Sequence, residues 1–333
     1  MSLTLYAGFA GDTDPGRFLS AGLWRSREGG AWERAETGFP GPPQTFALLA
    51  DPARPGEVFA GTQDGIFRSD DWGGSWLRLN APKPRFAVWS LTRHPHEPET
   101  IFAGYEPMAI VKSTDNGATW RDLEVEASYP SIAAVPGQPK RVTRIAVDPQ
   151  DGKRLYATIE VGGLLMSEDG GASWRQTIDG LYAVEDAVDL HSAVVHRDGA
   201  VTVATRVGVF QSHNHGVNWR PLAIPRLREK GTYARVLGLG AEGTLYAGGG
   251  TDFDGEQGGF FRSDDGGKTF TTRDLGFVPR STVFALAVHP ASPERLACSD
   301  KFGNVWLSDD AGESFRPHPL PKGLGHLFSL ALA

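Results

Sequence analysis

The residues best able to do chemistry in this chain are scattered acids, arginines and a histidine set in glycine-punctuated turns. Glu160 stands in Thr158-Ile-Glu-Val-Gly-Gly163 and Glu106 in Gly104-Tyr-Glu-Pro107. Two carboxylates facing one cleft about 5 to 9.5 Å apart can split a glycosidic bond, one as acid and the other as base or nucleophile. The same glutamates serve equally well as solvated loop acids, one of them capping turn amides. Asp189-Leu-His191 puts two polar side chains on one face of a strand, because residues two apart point the same way. Asp189 can then orient His191 as a general base or a metal ligand. A hydrogen-bonded structural histidine is the plainer alternative, and neither a metal nor another cofactor is expected. Arg141, Arg144 and Arg235, with Arg85 and Arg280, offer bidentate clamps for a carboxylate or phosphate, or else screen neighbouring acids. Tyr233, Tyr105 and Trp89 complete the expected ligand-binding set.

The elements that must carry these groups emerge from internal repetition. Ser69-Asp-Asp-Trp-Gly-Gly-Ser-Trp76 recurs as Ser113-Thr-Asp-Asn-Gly-Ala-Thr-Trp120, Ser167-Glu-Asp-Gly-Gly-Ala-Ser-Trp174, Ser263-Asp-Asp-Gly-Gly-Lys-Thr-Phe270 and Ser308-Asp-Asp-Ala-Gly-Glu-Ser-Phe315. Two copies are degenerate: Ser212-His-Asn-His-Gly-Val-Asn-Trp219 carries Asn214 for the aspartate, and Ser26-Arg-Glu-Gly-Gly-Ala-Trp32 is a residue short. The leading serines at 26, 69, 113, 167, 212, 263 and 308 are 43 to 54 residues apart. That period suits a four-stranded unit of short strands and turns. One unit reads Thr45-Phe-Ala-Leu-Leu-Ala-Asp-Pro52, Glu57-Val-Phe-Ala-Gly61, Gly65-Ile-Phe-Arg-Ser69, the repeat turn, then Trp76-Leu-Arg-Leu79. These are strands a to d, counted outward from a central channel. The apolar runs of the a strands, such as Val88-Trp-Ser-Leu-Thr-Arg-His-Pro95, predict strands covered on both faces.

The chain starts with a b strand, Leu3-Thr-Leu-Tyr-Ala-Gly8, and finishes with an a strand, Leu327-Phe-Ser-Leu-Ala-Leu-Ala333. Joined, residues 1–36 and 324–333 make one blade. The expectation is an all-β, seven-bladed β-propeller occupying 1–333 as one domain, with four antiparallel strands per blade and no sheet edge left at the closure.

Ser-x-Asp-x-Gly-x-Ser/Thr-Trp resembles the Asp-box, or bacterial neuraminidase repeat, and the resemblance covers essentially the whole chain. The motif is shared by sialidases, sortilin-like receptors, xyloglucan-degrading glycoside hydrolases and photosystem II assembly-factor propellers. It is specific for fold and far less so for function. The resemblance implies that the boxes are staples in the c–d turns, on the face opposite the functional cleft. Glu160-Val-Gly-Gly163 resembles the Asp-x-Gly-Gly loop of the xyloglucan-degrading members, whose Asp is a catalytic carboxylate; here it is Glu. Sialidase members grip a sugar acid with three arginines, but their Arg-Ile-Pro signature is absent and seven units depart from their six blades.

Propeller ligands enter where b–c and d–a connections converge. On the b–c side lie Asp64, Glu106, Glu160, Arg206, Asp300 and two insertions. Gly8–Ser20 contains Asp12 and Asp14, and Gly248–Gly259 contains Asp252, Asp254 and Glu256. The a-strand starts add Gln44, Arg85, Arg141, Asp189 with His191, Tyr233 with Arg235, Arg280 and His326. Composition narrows the options. A formal charge of −7 opposes nucleic acid and anionic membranes. The lone Cys298 cannot form an internal disulfide. With 42 Gly and 23 Pro, turns dominate over helices, and no stretch approaches the roughly 18 to 20 apolar residues of a membrane helix. There is no phosphate-binding glycine loop and no Gly-x-Ser-x-Gly nucleophile turn. Met1-Ser2 runs straight into a strand, so the expected location is the cytoplasm. A closed ring has no edge to cover, so the expected state is a monomer. The reading is a binding propeller for a polar ligand, either a saccharide or a protein segment. The alternative is a glycoside hydrolase or lyase working through Glu160 and Glu106, with His191 assisting.

Overall fold

The computed structural model describes residues 3–11, 21–125, 139–177, 181 and 187–333. Asp12 and Asp14 lie outside these residues. The described strands form seven antiparallel sheets of four, each paired in the order a-b-c-d. Innermost strands of successive sheets touch around a closed circuit. This is a seven-bladed β-propeller. Blade one takes its a strand from the C-terminal segment: His326–Leu332 pairs with Thr4–Ala10, setting Leu332 opposite Leu5 and His326 opposite Ala10. Blades two to seven begin at Thr45–Ala50, Ala87–Arg93, Val142–Val147, Leu190–Val195, Tyr233–Leu239 and Val283–Val288.

The repeat turns explain how each unit holds itself. Ser69 Oγ donates to Asp71 Oδ1 at 2.7 Å and accepts the Gly73 amide at 2.8 Å. Asp71 also accepts the Ser75 amide at Oδ1 and the Ser75 hydroxyl at Oδ2, both at 2.8 Å. The pattern returns at Asp115, Asp169, Asp265 and Asp310. Asn214 reproduces the Oδ1 half of it. Donors converging on the anion hold its proton affinity down. Led by the bonds from Ser69, Ser173 and Ser314 respectively, the Asp71, Asp169 and Asp310 pKa values fall to about 2.

Behind each turn an aromatic side chain packs between neighbouring blades. The described hydrophobic core comprises seven inter-blade clusters, and Trp32, Trp76, Trp120, Trp174, Trp219, Phe270 and Phe315 each join a different one. Blades also approach closely near the channel. A Cβ on Gly61 would stand 2.7 Å from Val88 Cγ1, and one on Gly104 would stand 2.6 Å from Val142 Cγ1. Those b-strand glycines let the branched residue of the next a strand seat itself.

One feature of the a strands departs from the expectation of uniform cover on both faces. Every one carries a β-bulge against its b strand, and the skipped residues are Phe46, Trp89, Thr143, His191, Arg235, Phe284 and Phe328. A bulge leaves its residue unpaired and re-aims its side chain. All seven border the central channel.

Candidate functional site

The seven bulged residues divide the channel rim into two arcs. Blades seven, one, two and three contribute Phe284, Phe328, Phe46 and Trp89 in unbroken succession. Phe46 stacks on Trp89 with centroids 4.4 Å apart, while Phe328 meets Phe46 edge-on at 5.4 Å and Phe284 at 5.3 Å. Blades four, five and six contribute Thr143, His191 and Arg235. Cations cover both junctions: the Arg235 guanidinium lies 4.3 Å from the Phe284 ring centre, and that of Arg141 lies 4.3 Å from Trp89.

Above this rim opens a cavity of about 680 Å³. The b–c turns bring Glu106, Glu160, Arg206, Asp252 and Phe253 to its wall, and the a-strand entries bring Gln44, Arg85, Arg141, Asp189, Tyr233 and His326. Most of the expected mouth residues therefore meet. Tyr105 does not: its ring is fully buried in the core between blades two and three and borders, with Asp64, a separate cavity of about 230 Å³. Strand alternation explains this, because Tyr105 and Glu106 are adjacent and face opposite ways. Arg280 is exposed and lines no part of the mouth. Asp300 turns back on its own hairpin, accepting the Phe302 and Asn304 amides at 3.0 Å, and burial raises its pKa.

On the polar arc, Arg141 is the hub. Its Nε lies 3.1 Å from Glu106 Oε2 and 2.7 Å from Glu160 Oε2, so those two carboxylate oxygens stand no more than about 6 Å apart and face one shared guanidinium. Neither contact is an aligned hydrogen bond; the guanidinium bridges the acids by charge. Arg235 Nη1 stands 3.5 Å from Glu160 Oε1. Burial raises the Glu106 pKa, with Arg141 opposing that rise and Glu160 adding to it.

His191 is wholly enclosed beneath this cluster. Its Nδ1 is 2.7 Å from the Ala234 carbonyl oxygen, to which it donates, and its ring packs 4.6 Å from that of Tyr233. Nε2 is then aimed at Asp189 Oδ1, 3.6 Å away, with no aligned hydrogen bond. Burial would raise the Asp189 pKa, but the His191 charge, the Val161 amide and Arg235 bring it down to about 2. His191 thus acts on Asp189, and a ligand in the cavity touches the dyad through Asp189. Ligand atoms of Glu160, Asp189 and His191 lie within 4.8 Å of one another. These are metal-ligand types, yet Glu160 is already engaged by two guanidiniums, and three carboxylates here face Arg141, Arg235 and His191.

Phe46, Phe328 and Phe253 are wall residues that the sequence reading left in the core or unnamed. Aligning the seven a strands puts 46, 89, 143, 191, 235, 284 and 328 in one column, but nothing in that column shows which side a bulge turns.

No family model matches the chain. A probable oligoxyloglucan-reducing end-specific xyloglucanase of Neosartorya fischeri is 27% identical over 146 residues, covering 39% of this chain and 17% of that protein. Among solved structures, the GH74 xyloglucanase of Xanthomonas campestris superposes with a TM-score of 0.63 at 20% identity, over 82% of this chain and 45% of the other. YCF48 from Cyanidioschyzon merolae gives 0.58 at 16% identity, over 86% and 88%. The chain therefore spans about a sixth of the curated relative and less than half of the xyloglucanase structure. At these identities the structural likeness establishes the propeller fold.

Proposed function

We propose that the channel mouth is a saccharide-binding site of an Asp-box propeller. The observation that carries this is the two-sided rim beneath the cavity: one arc of four aromatic rings, the other of charged and hydroxyl groups. A pyranose has an apolar C–H face and a polar edge, and such a rim offers a surface for each. The cavity also falls within the roughly 300 to 1,000 Å³ usual for small-molecule sites. The partial likeness to a xyloglucanase sequence supports a sugar as the occupant. Titration calorimetry with xyloglucan- and cellulose-derived oligosaccharides tests it. Trp89→Ala, checked for folding by melting, is expected to weaken binding about thirty-fold, about 2 kcal/mol, as loss of a central aromatic anchor does. Binding indifferent to Trp89, or seen with an extended peptide and not with sugars, overturns the reading in favour of a protein segment.

A second reading has one specific observation behind it: Glu106 and Glu160 face each other across one guanidinium at the mouth, and burial raises the Glu106 pKa. In a hydrolase, Glu106 would donate a proton to the leaving oxygen while Glu160 acted as base or nucleophile, with Arg141 swinging aside. Release of reducing sugar that disappears in both Glu106→Gln and Glu160→Gln would establish it. Binding without release leaves a lectin-like module.

A further inference from the structure

Inward from the bulged rim the channel narrows to a space of about 100 Å³, room for about three waters at about 30 Å³ each, or for one carboxylate or phosphoryl group. Its chemistry differs from that of the mouth above. The described residues lining it include Arg144 and Arg235 with the hydroxyl residues Ser90, Thr143, Ser192 and Ser329, and no carboxylate; His191 borders it with its side chain enclosed by protein. In a chain of formal charge −7, an acid-free cationic pocket on the central axis is a local exception.

Arg144 is the centre of that exception. It follows the bulge of blade four, where the other blades place Ala47, Ser90, Ser192, Val236, Ala285 and Ser329. The propeller's own packing needs only a small or slim side chain at this position. Arg235 is engaged by Glu160 and by the Phe284 ring, but the Arg144 guanidinium has no ion pair or side-chain hydrogen bond among the described residues. Water reaches it, yet protein surrounds it, and the resulting loss of solvation lowers its pKa. An oxyanion arriving there would meet a guanidinium open to the channel, a planar fork matched to carboxylate and phosphate oxygens. The space shares Phe46, Trp89, Arg235 and Phe328 with the cavity above, so one ligand can occupy both.

We propose that this inner channel is an anion subsite in which Arg144 receives the carboxylate or phosphate of an acidic sugar, whose ring rests on the aromatic arc. The proposal rests on the saccharide reading of the mouth and adds the ligand's charge to it. The acidic group points inward, past Glu106, Glu160 and Asp189, which already face Arg141 and Arg235.

The test compares methyl β-glucuronide and glucose 6-phosphate with neutral methyl β-glucoside by calorimetry on the full chain. The wild type is expected to prefer at least one acidic sugar about ten-fold or more (about 1.4 kcal/mol). The more favoured acidic ligand tells carboxylate from phosphate. In Arg144→Met, which keeps the stem and removes the charge, the acidic-to-neutral affinity ratio should fall to about one. Arg144→Lys should restore part of it. A melting temperature close to wild type is expected for both variants. A wild type with no preference, or an Arg144→Met protein that keeps it, overturns the proposal while leaving a neutral-sugar site standing. If no sugar binds at all, the saccharide reading falls, and inorganic phosphate alone decides the subsite. Phosphate binding lost in Arg144→Met upholds an anion site there, and absence of phosphate binding sinks it. Arg144-dependent capture of a peptide C-terminus in preference to every sugar acid overturns the ligand class.

Discussion

The c–d turn face and the channel mouth are built from the same blades by opposite rules. At the turns, Asp71, Asp169 and Asp310 are exposed, yet each is saturated with donors from its own eight-residue segment and its pKa is low. At the mouth, Glu106 is half-buried, shares one guanidinium with Glu160 from the next blade, and its pKa is raised. The turns repeat; the mouth does not. Where each blade solves the same local problem in the same way, the solution holds up the fold. Where blade four places Arg144 against small residues elsewhere, and four rings gather on one side, the seven-fold pattern is broken by something outside it.

The sharpest way to break this contrast is at Arg141. Arg141→Ala leaves the partly buried Glu106 without its counter-charge and Glu160 with Arg235 alone, and should lower stability by about 2 kcal/mol at pH 7, less than the full cost for a buried pair because solvent reaches both acids. The sign with pH follows from Glu106. A carboxyl whose folded pKa lies above its unfolded value destabilises the fold progressively as pH rises through that folded pKa. Removing Arg141 removes the influence that opposes this rise, so the Arg141→Ala deficit should shrink on acidification from pH 7 to pH 4. Urea unfolding at both pH values checks it. A deficit independent of pH would mean that the arginine acts by packing on Trp89 alone.

The turns should behave oppositely. Asp310→Ala removes an acceptor that organises a whole hairpin and should cost about 1 kcal/mol, as loss of a comparable capping side chain does. Saccharide affinity, measured in the same preparation, should stay near wild type. The depressed Asp71, Asp169 and Asp310 values, set against the ordinary 3.8, place the turns' contribution above about pH 4 and predict its loss as pH falls toward 2. Acid unfolding that begins well above pH 4 would contradict them as the responsible groups. The smallest effect is expected at blade five. Asn214→Asp would add the second acceptor oxygen that the other turns use on a Ser or Thr hydroxyl, but Asn218 stands at that position. The gain should therefore be a few tenths of a kcal/mol at pH 7, read as a small shift of the urea midpoint.

Repetition, blade number and ring closure were legible in the sequence because each depends on short-range chemistry. A serine, an aspartate and a glycine within eight residues bond one another wherever they occur, and an a strand at one end with a b strand at the other can pair only together. The mouth was legible as a list of loops: Glu106, Glu160, Arg141, Asp189 and Arg235 do converge. Their partnerships were not, since the Arg141 bridge joins adjacent blades through a distance that no spacing encodes. Tyr105 went to the inter-blade core because strand alternation turned it away from its neighbour Glu106. Phe46, Phe284 and Phe328 came to the channel because a one-residue bulge re-aims a side chain that an apolar run would place in the core. Short-range patterns thus fixed the architecture, and the inward or outward choice at each bulge, made only when blades pack against one another, fixed the site.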